Sequence, residues 1–136
     1  MKKIIIFSRY FKPAIKAGGP IQSVENILKF FGKKYNFLLV TGDRDLDGKI
    51  FKNINFNQVK NKKFFKIIYQ KKDKQNAKEF LKIIKNFQPD IIYLNSFFDF
   101  NFSIILSVLN KFVVKKKIII SPRGELFSKA IENKYL

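Results

Sequence analysis

Short apolar runs of β-branched and aromatic residues recur along this chain, and stretches with helical spacing separate them. The runs are Ile4 to Ser8, Phe37 to Thr41, Phe64 to Tyr69, Ile91 to Leu94 and Ile118 to Ile120. Runs this short and continuous fit strands buried on both faces of a parallel sheet. After Gly18-Gly19-Pro20, apolar residues fall at Ile21, Val24, Ile27, Leu28 and Phe31, one face of a helix that Pro20 can open and Gly32 can stop. A second helix carries Ala77, Phe80, Leu81, Ile84 and Phe87, with Asp73 as its candidate cap and Pro89 beyond its end. A third carries Phe102, Ile105, Leu106, Leu109 and Val113 and opens at Asp99 or Asn101, and a fourth opens near Glu125. Strands alternating with helices require crossover connections, so the expected fold is α/β: a Rossmann-like, doubly wound parallel sheet. The stretch from Gly42 to Lys63 has no periodicity and reads as a long surface loop.

The 136 residues fit one domain with a real core. The formal net charge is +18, and lysine supplies nearly all of it, since the only arginines are Arg9, Arg44 and Arg123. Such a charge attracts anionic membrane surfaces, nucleic acids or phosphorylated substrates. Lys, Asn, Ile and Phe are abundant together, which is also what an AT-rich coding sequence produces. There is no cysteine and no histidine, which excludes disulfides, thiolate or imidazole metal sites and a Ser-His-Asp triad. No metal and no tightly bound cofactor is expected. Met1 leads directly into a strand-like run without the apolar core and cleavage site of a signal peptide, and no apolar stretch approaches the ~18 residues of a spanning helix. The expected location is the cytoplasm, with the inner face of the plasma membrane as a peripheral site.

Ligands of doubly wound sheets bind at the carboxyl ends of the strands, and three segments fall there. Ser8 to Pro20 enters the first helix through Gly18 and Gly19. Two glycines let a ligand approach the backbone, and the amides of a helix start favour an anion. The pair matches neither a Walker A loop nor a GxGxxG fingerprint, and plain turn geometry explains it as well. Asn95-Ser96-Phe97-Phe98-Asp99 follows the fourth run. Asn95 and Ser96 are cleft candidates, Asp99 is either a helix cap or a ligand group, and the phenylalanines either stack on a sugar or close the core. Ser121-Pro122-Arg123-Gly124-Glu125 follows the fifth, and Arg123 between proline and glycine is a candidate anion fork, with a loop-shaping contact as the other reading. Arg9 and Glu125 are further candidates at the same edge.

Together, "IIIFSRYFKPAIKAGGPIQSVENI", "PDIIYLNSFFDFNFSIILSVL" and "IIISPRGELFSKAIENK" resemble the N-terminal domain of family-four glycosyltransferases over essentially the whole chain. The resemblance implies the GT-B architecture of two Rossmann-like domains facing across a cleft, and retaining transfer from a nucleotide-diphosphate sugar without an obligatory metal. The N-terminal domain mainly holds the acceptor. The family's glycine loop maps onto Gly18 and Gly19, and its arginine segment onto Arg123 and Gly124. Asn95 and Ser96 stand where many relatives have a cleft-lining His, so no catalytic role is carried over.

The family's donor-binding domain has no counterpart in these residues, so the expectation is a truncated or split enzyme, inactive alone, with a separate donor domain as partner. Valine at Gly18 or Gly19 is expected to remove transfer while sparing the fold. The implied acceptor is a glycan or lipid-linked molecule, as in polysaccharide or lipopolysaccharide assembly. A basic nucleic-acid-binding module is the alternative from another class, favoured by "KKKIII" and "KNKKFFKIIY" but lacking any recognition signature. An inactive remnant is the third reading.

Overall fold

The structure, a computed structural model, describes residues 1–122. Five runs in the sequence become parallel strands: β1 (Lys3–Phe7), β2 (Asn36–Thr41), β4 (Lys66–Tyr69), β5 (Ile91–Leu94) and β6 (Lys117–Ile120). A sixth strand, β3 (Val59–Asn61), pairs antiparallel with β4, and the sheet order is β3-β4-β2-β1-β5-β6. The first strand is central, with β2 on one side and β5 on the other. The fold is therefore α/β, with a mostly parallel mixed sheet compatible with the Rossmann-like class.

Alternation along the central strands divides the apolar residues between two cores. Ile5 and Phe7 of β1, Leu38 and Val40 of β2, and Ile92 and Leu94 of β5 belong to the first. It is closed by Phe80 and Ile84 of α2 (Ala77–Phe87) and by Phe102 and Leu106 of the third helix. Phe7, Phe80 and Phe102 stack in tilted contacts with centroids 5.2 Å apart, so one aromatic column joins sheet, α2 and third helix. Each such buried ring stabilises by about 1.5–3 kcal/mol. Ile6, Phe37, Leu39 and Ile67 point into the second core, which α1 (Gly19–Phe31) covers with Ile21, Val24 and Leu28. Helices thus lie on both faces, as the strand–helix alternation requires.

Three expectations are corrected. The stretch from Gly42 to Lys63 is not a plain surface loop: it contains β3, and its Phe51, Ile54 and Phe56 pack against the second core. It does the covering that a crossover helix would otherwise do between β2 and β4. The cap of α2 is Asn76, whose side chain accepts from the Glu79 amide at 3.0 Å, while Asp73 sits in the preceding 3-10 turn Lys72–Lys74. Gly32 stops α1 as expected, with ordinary helical dihedrals. It is glycine because an added Cβ would lie 2.5 Å from both the Leu28 carbonyl oxygen and Phe64 Cβ.

The third helix winds differently from expectation. Its α-helical centre, α3 (Ile105–Leu109), is extended by π turns at both ends, Phe100–Ile104 and Asn110–Val114. An α turn holds about 3.6 residues and a π turn more, so the inward position drifts from Val113 to Val114. Val114 packs on the first core and Val113 is exposed. Asn110 closes the helix onto β6, accepting from the Lys116 amide at 2.9 Å and donating to its carbonyl at 2.8 Å. The expected fourth helix lies outside the described residues.

Candidate functional site

Parallel strands all end on one edge, and there the chain places its buried polar groups. Of the eight buried polar residues among the described residues, six, Ser8, Thr41, Asp43, Gln70, Gln75 and Asn95, follow or end a strand at this edge. The strand order reverses at β1, with β2 and β5 on its opposite sides, so the topological switch point lies between the ends of β1 and β5. Asn95 spans it. Its amide donates to Ser8 Oγ at 3.1 Å and to the Pro20 carbonyl at 3.2 Å, which fixes the start of α1 over the switch point.

Gly18 and Gly19 form the turn that enters α1 beside that switch point. Gly18 has φ 65° and ψ −117°, a region closed to residues with a side chain, and its carbonyl accepts from the Ile21 and Gln22 amides. Gly19 needs no unusual dihedral, and a Cβ there would meet nothing within 4 Å. The two glycines therefore differ: Gly18 shapes the turn and Gly19 leaves a bare helix start. The first turn of α1 has neither a side-chain cap nor an acidic residue. The expectation that valine at either position spares the fold is corrected for Gly18. The loop leading to this turn is held by Asp45, whose carboxylate accepts from the Ile15 and Lys16 amides at 3.0 and 3.2 Å and is thereby kept below the usual carboxylate range.

Arg9 ties the strand ends together. Its Nε and Nη2 donate to the two oxygens of Asp99 at 2.5 and 2.9 Å, and its Nη1 reaches Gln75 at 3.5 Å. Its guanidinium lies 5.0 Å from the centroid of the Phe102 ring, and its carbonyl accepts from the Gly42 amide. The hydrogen bond to Asp99 raises the Arg9 pKa further above its ordinary value, against the opposing effect of burial. Of the two expected readings of Asp99, the structure shows the helix cap. Besides holding Arg9, its carboxylate accepts from the Phe102 amide at 2.9 Å and caps the third helix. Ser96 braces the same turn, accepting from the Asp99 amide through Oγ and from Ser103 Oγ through its carbonyl.

Beside Arg9 lies a polar cavity of about 100 Å³, lined by Tyr10, Gly42, Asp43, Arg44, Lys72 and Gln75. Burial opposes ionisation of Asp43, but hydrogen bonds from Arg44 (2.7 and 3.1 Å) and from the Lys72 amide outweigh it and hold the carboxyl below its usual value. This cluster was missed in the sequence. The signal was present, because Gly42-Asp43-Arg44 follows a strand as Asn95-Ser96 does. An added Cβ on Gly42 would sit 2.8 Å from the Arg9 carbonyl, so only glycine permits the approach of the β1 and β2 ends.

The edge thus gathers Gly18, Gly19, Arg9, Asn95, Ser96 and Asp99. Ser121, following β6, donates its amide to the Leu94 carbonyl on that edge. Arg123, Gly124 and Glu125 lie outside the described residues. Among the described residues no three carboxylates gather at one point to hold a metal ion. The edge contains bound arginines, an open helix start and buried amides, a set suited to holding and orienting an anionic or hydroxyl-rich ligand. No family model, curated protein or solved structure matches this chain.

Proposed function

We propose that this domain is the acceptor-holding half of a retaining sugar transferase of GT-B architecture, completed by a donor-binding domain that supplies the nucleotide-diphosphate sugar. The observation that carries the reading is the bare start of α1, anchored by Asn95 over the switch point between β1 and β5. The Gly19 amide and the positive end of the helix dipole favour a phosphate there, and Gly19 lets it approach, while Pro20 has no N–H and the Ile21 amide is taken by the Gly18 carbonyl. Asn95, Ser8 and the Arg9–Asp99 pair are held by each other and by the strand ends, so the floor of the site is built before any ligand arrives. Such a site binds, orients and excludes water. The nucleotide is held chiefly by the other domain, so this chain alone binds ligand without turnover.

The reading as a nucleic-acid module draws on the same charge. Its interleaved apolar residues are committed elsewhere: Ile67, Ile68 and Tyr69 are buried, and Phe65 packs against the second core. Those side chains form no stacking platform.

The test is heteronuclear NMR with pyrophosphate and with nucleoside diphosphates as probes. Shifts should concentrate at the Gly19 amide and at the Asn95 side chain. Gly19→Val should weaken binding about tenfold or more while leaving the circular dichroism unchanged, as expected when a side chain blocks a backbone anion site. Binding that maps to another surface, or that Gly19→Val leaves intact, refutes the proposal.

A further inference from the structure

The third helix is apolar on two sides. Its inward positions, Phe102, Leu106 and Val114, pack on the first core. On the other side Phe100, Ile104, Val108 and Phe112 are 64%, 40%, 53% and 67% exposed. They recur every fourth residue, a spacing that would spiral around a pure α-helix. Alternating α and π turns cancels most of that drift, because one winds tighter than the spacing and the other looser. The outcome is a straight exposed stripe along a helix whose opposite side already fills a core. Burying large apolar groups inward does not account for it.

The surroundings identify the partner. Residues 100–122 contain Lys111, Lys115, Lys116 and Lys117 and no acidic residue. At the Phe112 end, α2 and the second π turn border a groove of about 660 Å³ lined in part by Leu81, Lys85, Val113 and Lys116. Asp90 also borders it, and its carboxylate accepts from the Lys3 amide at 2.8 Å. A second copy docking through this stripe would bring like charge against like charge, with no acid on the stripe segment to offset it. An anionic bilayer supplies the missing counter-charge and an apolar phase for the rings. Here the lysines gather at the Phe112 end of the stripe, and an apolar stripe joined to lysines is the form taken by helices that lie in the plane of a membrane interface.

We infer that this domain docks on anionic lipid surfaces through the outer side of its third helix, with Phe100, Ile104, Val108 and Phe112 entering the acyl boundary and the lysines meeting lipid phosphates. The stripe starts at Phe100, directly after Asp99, so docking brings the bilayer beside the carboxyl edge of the sheet. The docking itself does not rest on the sugar-transfer reading.

The chain has no tryptophan, so one introduced ring reports alone. Phe112→Trp and Phe30→Trp are compared on phosphatidylcholine vesicles and on vesicles of equal parts phosphatidylcholine and phosphatidylglycerol. Phe30 is the stringent control: it is 80% exposed, neighbours Lys29 and Lys33, and lies on α1 over the opposite face. Tryptophan at 112 should shift to the blue on the anionic vesicles only, and tryptophan at 30 should not shift. Val108→Asp/Phe112→Asp should weaken vesicle binding at least about tenfold, since burying even one such side chain is worth that factor. The matched Phe30→Asp/Ile50→Asp pair should weaken it far less, with circular dichroism checking that both variants fold. Equal loss in the two pairs would assign binding to overall charge and overturn the proposal. So would failure to bind anionic vesicles, and so would self-association abolished by Val108→Asp/Phe112→Asp in place of vesicle binding.

Discussion

Replacing Asp99 separates two jobs that one carboxylate performs. Asp99→Ala removes the acceptor for the Phe102 amide, and loss of such a cap costs about 0.5–2 kcal/mol. It also leaves Arg9, whose side chain is 32% exposed, with Gln75 at 3.5 Å as its remaining side-chain acceptor. Breaking a fully buried pair costs about 3–5 kcal/mol and a surface pair about 0.2–1 kcal/mol. With 14% exposure at Asp99 and 32% at Arg9, the pair falls between these limits, at about 1–2 kcal/mol. The total for Asp99→Ala is then about 1.5–4 kcal/mol. Asp99→Asn keeps an oxygen for the cap and gives up the charge, so it should cost about half as much.

The assay is urea unfolding of wild type, Asp99→Ala, Asp99→Asn, Arg9→Ala and the Arg9→Ala/Asp99→Ala double variant, read as midpoints at unchanged slope. The cycle removes the contribution of Arg9 lying over the Phe102 ring, which the single variant alone would include. A coupling of about 1–2 kcal/mol, reduced by salt, is expected. Coupling below about 0.5 kcal/mol, or asparagine as costly as alanine, would show that the cap alone matters and would refute the argument that Arg9 holds β1 to β5.

The two glycines of the turn should separate in the same assay: Gly18→Ala should lose about 1–3 kcal/mol because its dihedrals suit only glycine, while Gly19→Ala should be neutral or up to about 1 kcal/mol more stable. Gly32→Ala should lose about 2 kcal/mol or more, since its methyl would strike the Leu28 carbonyl and Phe64 Cβ; a smaller loss would mean that α1 can shift away from Phe64. Asp43 has a folded pKa below its unfolded value, so its stabilisation is present above about pH 4 and disappears as pH falls through the folded pKa. Wild type should therefore exceed Asp43→Asn in stability at neutral pH, with the gap closing below about pH 4; a constant gap would remove the charge from the explanation.

The parallel strands from β1 to β5 were legible because burial leaves a local mark, whereas β6, expected to be buried on both faces, has Ile119 and Ile120 exposed at the end of the strand order. A run such as Ile4 to Phe7 needs no information from elsewhere in the chain. β3 left no such mark: Val59, Lys60 and Asn61 are exposed, and only pairing with β4 makes them a strand. The π turns were equally hidden. They depend on how the third helix meets β6 through Asn110 and Lys116, and the expected spacing consequently picked Val113 over Val114. At the site, Gly18, Gly19, Asn95 and Asp99 could be named from their places at strand and helix ends. Their roles could not, because the partners are distant in sequence: Asn95 meets Ser8, and Asp99 meets Arg9 across 90 residues.

The same geometry bears on the large positive charge. Eight of the acids fall among the described residues, and seven of them engage a cation or a backbone amide: Asp43 holds Arg44 and the Lys72 amide, Asp45 the glycine loop, Asp90 the first strand. These carboxylates stand where a turn, a helix start or a strand end needs an acceptor, and few remain to balance the surface. Compositional drift toward lysine therefore spreads charge over the molecule without disturbing the fold. Drift does not explain the outer side of the third helix, where lysines accompany a straight row of exposed Phe, Ile and Val and no acid interrupts it. Random enrichment would mix Asn and Lys into that row, as it does between Gly42 and Lys63. It is the row's order, more than the net charge, that drift leaves unexplained.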